Sequence, residues 1–183
     1  HSCDDLLKHN GELIFKSMEE LKSAGLVKKI GVSVYNSKQL DAILEKFNVD
    51  IVQLPINIFD QHFFLGGWLK RLKDNNIEIH ARSVFLQGLL LMSPDSLPPY
   101  FSPIKEKMVK FSKMASNFSL SKLELALSYV MCIHEIDQVV IGINNLQHLH
   151  EIINAASIRV STRDFSNLLI DDPAFINPTN WKI

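Results

Sequence analysis

Four short apolar runs, each followed by a segment with helical spacing of apolar residues, predict an α/β protein with a parallel sheet. The runs are apolar at adjacent as well as alternate positions, as a sheet covered on both faces requires. No Gly-x-Gly-x-x-Gly follows any of them, which weakens a doubly wound dinucleotide-binding sheet. On pattern alone two architectures stay open, an open doubly wound sheet and a closed (β/α)8 barrel.

The elements follow in order. Residues 10–24 place Ile14, Met18 and Leu21 on one helical stripe, and Gly25 is the stop signal. Residues 29–34 are a β-branched run and read as the first strand. Ser37 is positioned to cap a second helix that buries Leu40, Leu44 and Phe47. Residues 50–54 form the second strand, ended by Pro55. A third helix over 65–75 carries Leu65, Leu69 and Leu72, and 77–81 is the third strand.

From Ser83 to about Pro103 the chain holds four of its seven prolines and is expected to be irregular. Ser102-Pro103 reads as a cap and first-turn proline for a helix with Ile104, Met108, Phe111 and Ala115. Ser121 and Glu124 have capping-box spacing, although Ser119 is an equally good cap, and the helix they open runs to Met131. Residues 138–141 are the fourth strand, and Asn145 opens a last helix through Ala156. The tail, 157–183, has little periodicity and is expected to pack across the outside of a single domain spanning 1–183.

Composition excludes several classes. A chain of 183 residues, 46% hydrophobic, can bury one core. Its net charge of −1 leaves no basic block for nucleic acid. The apolar stretches are too short to span a membrane, and no secretion signal opens the chain. Cys3 and Cys132 suit a reduced, cytoplasmic protein better than a disulfide framework. The six histidines after His1 suggest no metal site; His148 and His150 point different ways on a helix. The chain opens on His1 rather than Met, as a piece of a longer protein would.

The stretch GLVKKIGVS, residues 25–33, resembles the G-K-V-R-x-I-G-V-S-N run at the fifth strand of the aldo-keto reductases. DIVQLPIN, residues 50–57, is similar to their sixth strand, and LQGLL, residues 86–90, to the turn after their seventh. Leu125-Ala-Leu127 and Val140-Ile-Gly142 stand where that family has a helix and its eighth strand. HSCD, residues 1–4, resembles the end of the fourth. The resemblance covers His1 to about Ala156, in order. It implies the C-terminal half of a (β/α)8 TIM barrel, since a whole barrel takes about 250 residues.

The resemblance also implies roles. Ser33 and Gln53, at strand ends, would hold the nicotinamide carboxamide; the plain alternative is a strand-end Ser and a Gln satisfied by backbone. The family's usual Asn after the Ser is Val34 here. Arg82 stands where many members have a ring-stacking Tyr; it would stack on the nicotinamide, reach a phosphate, or simply pair with a carboxylate. Ser83 to Gly88 would meet the pyrophosphate through backbone N–H groups. Gly142, Asn144, Asn145 and His148 would meet the adenosine end at a helix start. Members that prefer NADP often carry Lys or Arg there, but none occurs between Gln138 and Ser157, so NADP and NAD both remain open.

His1 matches the catalytic His, whereas the family's catalytic Asp, Tyr and Lys would come from the missing N-terminal half. The expected function is therefore NAD(P)H-dependent reduction of a small carbonyl substrate, with this chain inactive alone. The alternatives are a non-catalytic cofactor-binding or assembly module, and an unrelated barrel enzyme. Two open sheet edges, and a concave face expected to show Val52, Leu54 and Val139, lead to an expectation of self-association.

Overall fold

A computed structural model describes residues 3–160 and 165–182. Its centre is a four-stranded parallel sheet in the order β1-β2-β3-β4, with β1 Gly31–Ser33, β2 Ile51–Pro55, β3 Glu78–Arg82 and β4 Gln138–Val139. Helices α1 Asp4–Leu7 and α2 Gly11–Ser23 precede β1, and α3 Ser37–Leu44 links it to β2. Helices α4 His62–Leu65 and α5 Trp68–Asp74 lead to β3. Helices α6 Lys105–Asn117 and α7 Lys122–Met131 lead to β4, which α8 Leu146–Ala155 follows. The irregular stretch from Ser83 contains only short pieces of 3-10 helix before α6, in keeping with its prolines. No helix among the described residues is long and apolar enough to cross a membrane.

The strand pleat sorts the sheet into two faces. Val32, Val52, Leu54, Ile79 and Ala81 are buried beneath the helices, while Gly31, Ser33, Ile51, Gln53, Glu78, His80 and Arg82 are half-exposed on the other side. This corrects the expectation that Val52, Leu54 and Val139 form an open apolar face. Val139 lies in register with Ala81, on the helix-covered side. The uncovered face is largely polar, and Glu78 there bridges Lys29 and His80.

At the N-terminal ends of the strands the register is held by two like clamps. Asp50 takes Lys22 at 2.6 Å and accepts the Ile30 N–H at 2.9 Å. Asp137 takes Lys73 at 2.7 Å and accepts the Ile79 N–H at 2.8 Å. Burial pushes the Asp50 carboxyl up, but the Lys22 and Ile30 hydrogen bonds outweigh it and hold the group below its ordinary value.

Several helices sit differently from the periodicity. In α2 Phe15 is buried in tilted contact with Phe47 and Met18 packs against the core as expected, whereas Ile14 and Leu21 face solvent. Helix α3 is capped by Asn36, whose side chain accepts the Gln39 N–H, so Ser37 is its first residue rather than its cap. Leu65 ends α4 and is exposed; Gly67 in a left-handed conformation breaks the expected 65–75 helix, leaving Leu69 and Leu72 buried in α5. The Ser102 hydroxyl donates to the Pro99 carbonyl inside a 3-10 turn, so α6 starts later, after Ile104. By contrast, both arms of the Ser121–Glu124 capping box are present, and Ser119 has φ +55° and lies outside the helix. Strand β4 has two residues instead of four.

Helix α7 is buried from Leu125 through Val130, the signature of a helix enclosed on all sides. Part of its cover comes from the tail, where Phe165 packs edge-on to Tyr129. Gln61 donates to the Phe165 carbonyl at 2.8 Å, and the Ile170 N–H donates to Phe59 at 2.9 Å, tying the tail to the loop after β2.

Candidate functional site

Parallel pairing sets four polar side chains abreast. Ser33 lies opposite Gln53, Gln53 opposite His80, and His80 opposite Gln138, all on the uncovered face. One step nearer the C-terminal ends, Arg82 lies opposite Pro55. Its guanidinium reaches back across the sheet, donating to Ser33 Oγ at 3.3 Å, Ser83 Oγ at 3.2 Å and the Val34 carbonyl at 3.0 Å. The Tyr35 ring lies 4.3 Å from it and covers one guanidinium face. Burial lowers the Arg82 pKa, with Tyr35 and Asp60 acting the other way. Among the described residues no carboxylate lies within ion-pair distance of Arg82, so the plain carboxylate-pair alternative is not what the structure holds.

Beyond Arg82 the chain turns sharply. Ser83, Leu86 and Gln87 all have positive φ, as does Gly88 at +85°. Buried Asn57 braces this turn: its amide donates to the Ser83 carbonyl at 3.1 Å while its oxygen accepts the Phe59 and Asp60 N–H groups. Two loops at the strand ends are thereby locked together.

A groove of about 490 Å³ runs from this turn to the β4–α8 junction, lined by Ser83, Gln87, Gly88, Gly142, Asn144 and His148 among others. Asn145 does not line it; its side chain caps α8 by accepting the His148 N–H at 2.8 Å. Ser33 and Arg82 end their strands, but Gln53 is the middle residue of β2, not its end as expected; none of the three lines the groove, and only the Arg82–Ser83 contact reaches it. His1 lies outside the described residues.

A second cavity, about 380 Å³, opens on the other side of Arg82, between Tyr35, His62 and tail residues such as Asn177. His62 Nδ1 sits 3.0 Å from nearly buried Asp60 and its Nε2 sits 3.5 Å from Asp171. The Asp60 hydrogen bond raises the His62 pKa against the opposing effect of burial, with Asp171 adding to the rise.

A family model for the aldo/keto reductase family matches residues 4–169, most of the chain. The chain belongs to the aldo/keto reductase family. An uncharacterized oxidoreductase of Bacillus subtilis is 25% identical over 167 residues, covering 86% of this chain and 54% of that protein. An aldo-keto reductase from Bacillus halodurans, in its holo form, matches with a TM-score of 0.67 at 18% identity, over 84% of this chain and 53% of its own. A glycerol dehydrogenase from Gluconobacter oxydans gives 0.65 at 20%, over 88% and 53%. An aldo/keto reductase from Klebsiella pneumoniae, solved with NADP and acetate, gives 0.61 at 15%, over 84% and 51%. The aldo/keto reductase chain described here therefore spans about half the length of the relatives it matches.

Sequence reading of this aldo/keto reductase missed Tyr35, Asn57 and His80 as members of the strand-end array. An aromatic residue two positions past Ser33 is a signal that could have found Tyr35. Asn57 and His80 are placed by register and by a loop brace, which sequence spacing does not express.

Proposed function

We propose that this chain is the C-terminal, cofactor-binding half of a (β/α)8 NAD(P)H-dependent aldo-keto reductase that reduces small carbonyl substrates. The observation that carries the reading is the pairing of Ser33 with Gln53 on the uncovered face, with Arg82 bonded both to Ser33 and to groove-lining Ser83. Ligands of parallel α/β proteins bind at the C-terminal ends of the strands.

The residues present fit a dinucleotide. Gly142 lines the groove, needs no positive φ, and a Cβ built on it would meet no protein atom within 4 Å. Its missing side chain serves no internal packing, and leaves room for something outside the protein. When bound, the cofactor would supply the hydride. Gln53 and Ser33 would orient the carboxamide, and the Ser83–Gly88 turn would face the pyrophosphate with backbone N–H groups. Asn144 and His148 would lie along the adenosine end. Arg82, with two of its five N–H donors left over, would fix Ser33 and Ser83 relative to one another while presenting positive charge to the mouth.

In this reading the proton donor and its partners belong to strands that precede β1, and His1 stands where the family places the His that orients the carbonyl. Those strands would pair with the β1 and β4 edges and cover the polar face. The test has two arms. Titration with NADH and NADPH, followed by fluorescence, should show saturable binding that Gly142→Val abolishes. The full-length enzyme should oxidise the cofactor with aldehydes. Absence of binding in both the chain and the full-length enzyme would overturn the assignment.

A further inference from the structure

Resting on the reductase reading, we infer that the cavity beside Arg82 receives the substrate, and that this substrate is a short-chain oxo acid whose carboxylate Arg82 binds. The cavity lies on the side of Arg82 away from the groove, so a dinucleotide in the groove leaves it open. Ser33, which would hold the nicotinamide carboxamide, is bonded to the same guanidinium at 3.3 Å. A carbonyl a few bonds from a carboxylate is thereby brought beside the nicotinamide.

Arg82 is a half-buried cation whose hydrogen-bond partners are all neutral: Ser33 Oγ, Ser83 Oγ and the Val34 carbonyl. The Tyr35 ring shields one face of the guanidinium from water. A charge drawn out of water without an ionic partner is costly, and an anion in the adjoining cavity would offset that cost. The lowered pKa of Arg82, caused first by burial, agrees with a cation short of partners. One N–H remains on each terminal nitrogen, the number that the two oxygens of a carboxylate accept from a guanidinium. Asn36 and Ser37, the cap and first residue of α3, line the same cavity, so the positive end of that helix lies at it too.

Two carboxylates also line the cavity, and both are turned to His62: Asp60 at 3.0 Å from Nδ1 and Asp171 at 3.5 Å from Nε2. The Asp60 hydrogen bond keeps the imidazole protonated to higher pH than usual, which shields the pair from an incoming anion. Their presence still favours a singly charged carboxylate over a phosphate dianion, which they would repel more strongly. At about 380 Å³ the cavity has the size of a small-molecule site.

The test compares glyoxylate and pyruvate with their methyl esters in the full-length enzyme, since the esters keep the carbonyl and lose the charge. Each acid should exceed its ester in kcat/KM by roughly tenfold or more, the scale of a charge-assisted hydrogen bond. Arg82→Gln should abolish the preference; a general loss of turnover in that variant touches acid and ester alike and leaves their ratio readable. Asn177→Asp keeps the oxygen that accepts the Thr179 N–H and adds a negative charge to the cavity wall, so it should lower the same ratio. Oxamate, which carries the carboxylate but is not reduced, should bind the full-length enzyme in the presence of NADH, and bind less tightly to both variants. Esters reduced as well as acids, a preference that both variants leave intact, or no binding of oxamate overturns the oxo-acid assignment, while dinucleotide binding keeps the reductase reading standing. Loss of dinucleotide binding as well overturns both.

Discussion

At the scale of single residues the site is a set of polar atoms placed by strand register. Gln53 stands between Ser33 and His80, with its amide towards the uncovered face. In the full-length enzyme Gln53→Ala is expected to weaken dinucleotide binding by roughly tenfold, the loss of about one good hydrogen bond. Fluorescence quenching measures it, and unchanged affinity removes Gln53 from the site. His62 carries a pH dependence of a stated sign. Its pKa is raised in the folded state above the ordinary value of 6.5, so its contribution to stability is fully present below about 6.5 and is lost as pH rises through the folded value. Urea midpoints of the parent should therefore fall as pH is raised through that window, and His62→Gln should flatten the slope. An identical slope in the variant would show that some other group titrates. Ser33, Gln53 and Arg82 were legible as candidates through the resemblance of their segments to the family's; an aromatic was legible at Tyr35, but its place against the guanidinium follows only from the strand order β1-β2-β3.

At the scale of elements, local chemistry predicts best where it acts locally. The Ser121–Glu124 box and the Asn145 cap are built from groups within one helical turn, and both are present as expected. Ser121→Ala should cost roughly 1 kcal/mol, read from a denaturant midpoint. Gly88 makes the complementary case. Its φ of +85° is open to glycine but strained for other residues, so Gly88→Ala should destabilise the chain by about 1 kcal/mol and loosen the groove wall. Elements were less legible where a second signal competes with the first. Leu65 fits a helical stripe, yet Gly67 ends that helix and turns Leu65 outward. Ser102-Pro103 has the residue types of a helix start, but the Pro99 carbonyl captures the serine hydroxyl. Of the stripe Ile14, Met18 and Leu21, only Met18 packs against the core, beside buried Phe15, and the other two face solvent.

At the scale of the molecule, most of the exposed large apolar side chains come from two stretches of the chain. Leu13, Ile14, Leu21 and Leu26 lie ahead of β1; Val140, Ile143, Leu146 and Ile153 lie around β4 and α8. The uncovered face is polar, so any association would be expected from the exposed apolar side chains and not from that face. The isolated chain should therefore self-associate, with a light-scattering mass above its 20.8 kDa. Leu13→Glu combined with Leu146→Glu should return it to a monomer. A parent chain that stays monomeric at high concentration would show that these stretches need no cover. The same chain should not reduce aldehydes unaided, and turnover by it would overturn the proposal that the acid lies upstream.

The two aspartate clamps divide labour along the length of the strands. Each uses a helix-end lysine, an aspartate at the start of the following strand, and a backbone N–H of the strand before, and each stands at the end of the sheet opposite the groove. Strand alignment is thereby secured without help from any residue of the site. Mutation can rewrite the loops that meet ligand while the alignment beneath them stays put, so new specificities on this scaffold can arise by small steps, none of which has to pass through a misregistered sheet.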